Sequence, residues 1–263
     1  MKKVEKLQSI LRKLKSVVIA YSGGLDSTYL LKVAFDTLGK DNVLAVTARS
    51  ETYPESEYRE AVKFSGRIGA RHLTIHTREL AIKNFRSNPV DRCYYCKKEL
   101  FRQLDGIRKR YKMAALLDGT NHDDLKDVRY GRFAAKEFGV KSPLLDARIA
   151  KADIRVSSRR LKLPTWDKPS FACLASRFPF DSTISAKDLK RIDAAEGSLR
   201  RLGFRQVRVR IHKDIARLEL LPSDLAKAVR AREEITGKLK KLGFVYVTLD
   251  LQGYRTGSMH EAV

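Results

Sequence analysis

From residue 17 onward the chain alternates short, nearly all-apolar runs with longer segments whose apolar residues return every three or four positions. The runs VVIA, VLAV and AALL fall within 17–22, 43–50 and 114–120. With a fourth run at 72–77 they predict strands buried on both faces. The intervening helical period predicts helices at 26–38, 57–68, 94–111 and 130–138, with a shorter one at 151–161. Strands alternating with helices in this way define βαβ units, so the predicted fold class is α/β, a doubly wound parallel sheet, over residues 1–165. The pattern then lapses. PTWDKPSFACLASRFPFDST (164–183) contains three prolines and no sustained period; long irregular stretches of this kind link domains or carry function. Periodicity resumes with a helix at 185–202, strands at 206–212 and 215–221, one long helix at 223–242 and a strand at 244–251. Residues 184–263 are therefore read as a smaller C-terminal α/β domain, with 166–183 as the catalytic loop or linker.

The N-terminus, MKKVEKLQSILRKLKSVVIAYS, is basic and then briefly apolar, like a secretory signal. Its Val4, Leu7, Leu11 and Leu14 recur at helical spacing, however, and the short apolar run leads straight into a glycine loop. A surface helix and a strand are predicted there. No apolar run approaches the roughly 20 residues of a membrane span. The expectation is a soluble cytoplasmic protein with no membrane partner.

Lys and Arg number 54 against 31 Asp and Glu, a formal net charge of +23 over 263 residues. Such a field attracts nucleotides, pyrophosphate or nucleic acid; a charge-rich solvated surface has the same composition. The basic residues are spread along the chain, so charge does not choose between them.

The segment VVIAYSGGLDSTYLL carries more information. It runs from a buried strand through Ser22, Gly23 and Gly24 into a helix opening near Asp26 and Ser27. Backbone N–H groups at a helix N-terminus, reached through glycines, form an anion site. The hydroxyls of Ser22 and Ser27 add donors, and Asp26 is placed to help hold Mg²⁺ on a triphosphate. A Gly-Lys-Ser/Thr continuation is missing, so this is not a Walker A loop. SGGLDS resembles the PP-loop of N-type ATP pyrophosphatases. The resemblance implies cleavage of ATP between its α and β phosphates to adenylylate an oxygen, and leaves the substrate open.

The cysteines number three: Cys93 and Cys96 in DRCYYCKKEL and Cys173 in FACLASRF. An odd count in a cytoplasmic chain argues against structural disulfides. The pair opens a predicted helix, where the dipole favours thiolate. The five histidines show no ligand spacing. Zinc, an iron–sulfur cluster, a sulfur-transfer thiol and unrelated thiols all remain open on spacing alone. A [4Fe–4S] cluster on three cysteines would leave one iron able to carry an added sulfide.

Beyond these motifs, 164–180 together with DGTNHDDLKDVRYG (118–131), RVRIHKDIARLEL (208–220) and LDLQGYRTGS (249–258) closely resemble the LarE family over essentially the whole chain. These are ATP-dependent sulfur transferases that help make the nickel-pincer nucleotide cofactor of lactate racemase. The resemblance implies adenylylation of a pyridinium dicarboxylate mononucleotide, attack by sulfur on the acyl-adenylate, and a thiocarboxylate plus AMP. One branch sacrifices the sulfur of the cysteine matching Cys173; another holds a [4Fe–4S] cluster on that position and a C-x-x-C pair. Three cysteines assign this chain to the cluster type, with Cys93, Cys96 and Cys173 as ligands and an external sulfide donor. The resemblance further implies that Ser22, Gly23, Gly24, Asp26 and Ser27 cradle the phosphates. Ala48, Arg49 and Ser50 would meet adenine or ribose, with Gly119, Thr120 and Asn121 ending the fourth strand beside the ligand crevice. Ser176 and Arg177 would face the reacting centre, Arg177 stabilising charge on the α-phosphate. Glu196, Arg208, Arg210 and Arg217 would engage the substrate's phosphate or carboxylates, and Trp166 would stack on its ring or belong to the core. A homo-oligomer is expected. A tRNA thiolase with a similar cluster is the alternative enzyme, and a non-catalytic nucleotide- or RNA-binding adaptor the alternative class. No RRM or KH signature supports RNA binding.

Overall fold

In the computed structural model of the chain, which describes residues 2–126 and 130–255, the predicted alternation becomes a four-stranded sheet and a separate three-stranded one. The chain runs α1 (Lys2–Leu14), β1 (Val17–Ala20), α2 (Leu25–Leu38), β2 (Val43–Arg49), α3 (Glu55–Ile68) and β3 (Arg71–His76). It continues through α4 (Lys83–Arg86), α5 (Arg92–Arg110), β4 (Ala115–Leu117), α6 (Gly131–Glu137), α7 (Pro143–Asp146) and α8 (Lys151–Arg160). After the irregular stretch come α9 (Ala186–Arg201), β5 (Val207–His212), β6 (Ile215–Leu220), α10 (Leu225–Arg230), α11 (Arg232–Lys241) and β7 (Tyr246–Leu249).

Two units divide these elements: Met1–Glu79 with Asp91–Phe171, and Leu80–Val90 with Ala172–Val263. The expected cut at 165 left 80–90 in the first domain; that excursion instead belongs to the second unit, where Asn88 Nδ2 donates to the carbonyl of Pro179 (2.6 Å) and Ile184 N–H to that of Arg86 (2.9 Å).

In the first unit the strand order is β3-β2-β1-β4, every pair parallel. Alternate residues explain the double winding. Val17, Ile19, Val43, Ala45, Ala115 and Leu117 face a core completed by α1, α2, α7 and α8; Val18, Leu44, Val46 and Leu116 face Phe101 and Leu104 of α5 and Ala134 of α6. Each fully buried Phe or Leu contributes roughly 1.5–3 kcal/mol. The N-terminal segment expected on the surface is partly core, because Leu7 and Leu11 are wholly buried.

The second unit's sheet has the order β5-β6-β7, antiparallel then parallel. The single helix expected at 223–242 breaks at Ala231 (φ −90°, ψ 12°). Ala228, Ile235 and Leu239 are nonetheless buried, so the apolar spacing that suggested one helix spans two. Among the described residues no helix is long and apolar enough to cross a membrane. Residues 127–129 and 256–258 of the family-like motifs lie outside the described residues.

Candidate functional site

At the carboxyl end of β1 the chain turns through Ser22-Gly23-Gly24 into α2. Gly23 has φ +62°, and a Cβ there would lie 2.7 Å from that of Ala61 on α3, so only glycine fits. Gly24 is the N-cap without a side-chain cap hydrogen bond, leaving first-turn N–H groups available to an anion. Ser22 Oγ and Ser27 Oγ stand 3.1 Å apart, and Ser27 Oγ also donates to the Gly24 carbonyl (3.3 Å). The Tyr53 hydroxyl donates to the carbonyl of Ser22 (2.7 Å). Burial pushes its phenol pKa up, and the charges of Glu57 and Glu60 add to this. Tyr21, behind the loop, is raised to about 12 by burial, against an opposing hydrogen bond from Thr28. Both phenols therefore stay neutral.

The other predicted nucleotide residues divide. Gly119 closes in on α2: a Cβ there would meet Ser27 N at 3.1 Å. Thr120 turns its hydroxyl to Asp118 (2.8 Å), and Asn121, almost fully buried, accepts from Asp123 N–H (2.9 Å). These two side chains shape the turn. Ala48 and Arg49 end β2; Arg49 pairs with Glu55 (2.8 Å) over the Tyr58 ring, and Ser50 Oγ meets Thr52 Oγ1 (3.0 Å). Trp166 is 39% exposed and lies under the Arg159 guanidinium at 5.0 Å, so it is not core.

Cys93 and Cys96 occupy the first turn of α5, three residues apart and hence on one helix face. Cys93 is exposed, Cys96 and Cys173 half-buried, and none forms a disulfide. The pair lies in the first unit and Cys173 in the second. Among the described residues no three His, Cys, Asp or Glu side chains gather as a metal-ligating group. The donor chemistry still suits a thiophilic centre, since two thiols lie one helical turn apart on α5.

In the second unit the resemblance implies Arg177 at the reacting centre and Glu196 against substrate. Both side chains are completely buried. Arg177 Nε and Nη2 donate to Glu196 Oε1 (2.8 Å) and Oε2 (3.1 Å), while Nη1 donates to the carbonyls of Ala172 (2.9 Å) and Cys173 (3.2 Å). Ser176 Oγ donates to the Cys173 carbonyl as well (2.8 Å). The short helical turn Leu174–Arg177 is thus clasped from inside, and Cys173 is its N-cap. Arg200 adds a second cation to Glu196 (2.9 Å); Arg210 and Arg217 share Glu219, and Arg210 Nη1 also reaches the Ser176 carbonyl (2.8 Å). Four guanidiniums thus meet two carboxylates. Arg208, 7% exposed and stacked on Tyr254 at 5.3 Å, has its pKa lowered to about 10, by burial first and then by Arg177. It remains a cation at neutral pH. Guanidiniums are groups that suit a phosphate or carboxylate.

Sequence reasoning missed Lys168. Its ammonium lies 2.7 Å from Glu57 and 2.6 Å from Glu60 on α3, and 3.4 Å from the Gly23 carbonyl. A lysine in an aperiodic loop gives no local signal of such a partner.

A parallel sheet with a glycine loop feeding an uncapped helix defines a PP-loop nucleotide-binding protein, and residues 2–125 match the NAD synthase family model. The likeness to individual proteins is longer. The chain is 38% identical over 257 residues, 98% of it and 93% of the relative, to pyridinium-3,5-bisthiocarboxylic acid mononucleotide synthase of Lactiplantibacillus plantarum. It is 42% identical to an uncharacterised Synechocystis protein over 99% and 98% of the two chains. With an NH3-dependent NAD+ synthetase of Methanococcus aeolicus it shares 26% identity over 57% of its length. The chain belongs to the LarE family.

Proposed function

We propose that this protein is an ATP-dependent sulfur transferase acting on a pyridinium-3,5-dicarboxylate mononucleotide. The observation that carries the reading is the glycine loop at the uncapped start of α2, in a chain whose likeness to the L. plantarum synthase runs through both units. The first-turn N–H groups of α2, with Ser22 and Ser27, hold the phosphates of ATP, and Asp26 helps hold Mg²⁺ on them. A substrate carboxylate oxygen attacks the α-phosphorus; the α–β bridge breaks and pyrophosphate leaves. A sulfur nucleophile then attacks the acyl carbon and AMP departs, leaving a thiocarboxylate. The arginines around Glu196 and Glu219 orient the substrate's anionic groups.

Cys93, Cys96 and Cys173 are assigned as ligands of a [4Fe–4S] cluster. Three thiolates would hold such a cluster and would leave one iron available to an added sulfide. The chain's own contribution is the clasp of Arg177 and Ser176 on the carbonyl of Cys173, which fixes where that thiol's backbone sits. Cytoplasmic location and a homo-oligomeric assembly complete the reading.

The test uses full-length protein purified without oxygen, given the pyridinium dicarboxylate mononucleotide, MgATP and sulfide. Pyrophosphate and a thiocarboxylate are expected, both lost in Asp26→Ala, with about four irons per chain lost in any single Cys→Ser variant. Product without iron, needing Cys173 alone and ending after one turnover, would replace the cluster with sacrifice of Cys173 sulfur. Thiolation of tRNA but not of the mononucleotide would overturn the substrate.

A further inference from the structure

We propose that Lys168 is a positioning residue for the nucleotide step: its ammonium cancels two carboxylates beside the glycine loop and ties the irregular segment after α8 to that loop. The proposal rests on the adenylylation reading only in taking ATP as the polyanion that enters.

Glu57, Glu60, Ala61 and Phe64 recur three, four and seven residues apart on α3 and so share one helix face. Ala61 is the residue against which Gly23 packs, so this face backs onto the glycine loop. Two carboxylates therefore stand where a triphosphate approaches, and like charge there opposes its entry. Lys168 intervenes between both carboxylates and the Gly23 carbonyl, over the Phe64 ring at 5.7 Å. Its side chain is only 12% exposed and that of Glu57 15%, so solvent screens this pair less than an open surface pair, while Glu60 is 48% exposed and screened more.

The backbone around Lys168 is anchored independently. From α8, Arg155 donates to the carbonyls of Trp166 (2.7 Å) and Lys168 (3.1 Å), Lys151 reaches Ser170 Oγ (2.9 Å) and Arg159 covers Trp166. Lys168 N–H closes a turn onto the Thr165 carbonyl (3.1 Å). The ammonium is thus presented from a braced segment, with its entropy cost of placement met before ATP arrives.

The experiment compares wild type, Lys168→Ala, Lys168→Arg, Glu57→Gln/Glu60→Gln and the triple Lys168→Ala/Glu57→Gln/Glu60→Gln. Affinity for a fluorescent ATP analogue is measured on the full chain, followed by KM for ATP and kcat for pyrophosphate release. Lys168→Ala is expected to weaken ATP binding at least tenfold, about 1.4 kcal/mol, with KM rising more than kcat falls. Lys168→Arg keeps most of the affinity. The triple variant returns to within about threefold of wild type, because removing the carboxylates removes the need for the cation; this is double-mutant-cycle logic. Wild-type affinity in Lys168→Ala, or a triple variant no better than Lys168→Ala, would overturn the proposal. Should Lys168→Ala fail to fold, the Glu57→Gln/Glu60→Gln variant decides alone: affinity at or above wild type supports charge cancellation, and a loss refutes it. Nucleotide ratios as expected but no pyrophosphate with the pyridinium substrate would sink the functional reading and leave the role of Lys168 standing.

Discussion

Replacing Glu196 by glutamine removes one charge and almost no volume from the interior of the second unit. Glu196 and Arg177 have no exposed side-chain surface. The carboxylate accepts from Arg177 twice, from Arg200 and from the Val209 backbone N–H (3.0 Å). Glutamine keeps an oxygen for Val209 but turns an NH2 group toward guanidinium donors, and Arg177 loses the carboxylate charge of this buried pair. Breaking one side of a buried pair costs about 3–5 kcal/mol. Arg200 is 30% exposed and recovers water, so the lower end, about 3 kcal/mol, is expected here.

The pH dependence follows from the same contacts. Burial pulls the Glu196 carboxyl upward, but Arg177, then Arg208 and Arg200, outweigh it and hold the group below the ordinary glutamate value. A lowered folded pKa stabilises the fold above the unfolded value, roughly 4.3, and that stability is lost as pH falls through the folded value. The gap between wild type and Glu196→Gln should therefore be full at pH 7 and narrow only below about pH 4.3. Urea unfolding followed by circular dichroism reads the gap. Hydrogen exchange of peptides from α9 and β5 assigns it to the second unit, since the only tryptophan lies in the first. A gap under about 0.5 kcal/mol at pH 7, of the size ordinary surface substitutions give, would refute the buried clasp. So would a gap that widens on acidification.

Gly23→Ala should abolish ATP binding, because its Cβ would enter Ala61 and a φ of +62° costs an L-residue roughly 1–2 kcal/mol; titration with the fluorescent analogue checks this, and near-normal affinity would refute the loop geometry. His212 is held below its ordinary pKa by burial first and then by Arg217 and Arg210. It stays neutral at pH 7, and the stability this confers is lost as pH falls below about 6.5. His212→Gln should flatten that decline, seen by comparing melting temperatures at pH 7.5 and 5; an unchanged decline would contradict it.

How much of this was legible depends on the range of the interaction. Strand runs such as VLAV and the SGGLDS turn announce themselves because a buried parallel strand and an uncapped helix start are local patterns. The break at Ala231 has no proline or glycine to mark it, and the apolar stripe continues across it, so periodicity could only join α10 to α11. The family resemblance points Arg177 at the α-phosphate and Glu196 at substrate anions, and gives no sign of a bond between them. Their partners lie nineteen residues apart, and only the fold reveals that each neutralises the other.

That pairing changes what the remaining arginines can do. Glu196 is held by Arg177 and Arg200, and Glu219 by Arg210 and Arg217, so each carboxylate spans two guanidiniums. Glu196 is wholly buried and holds the Arg177 guanidinium, which in turn donates to the Cys173 carbonyl. The first unit has the opposite arrangement, two carboxylates and one lysine beside the phosphate loop. The net +23 of the whole chain describes neither local arrangement.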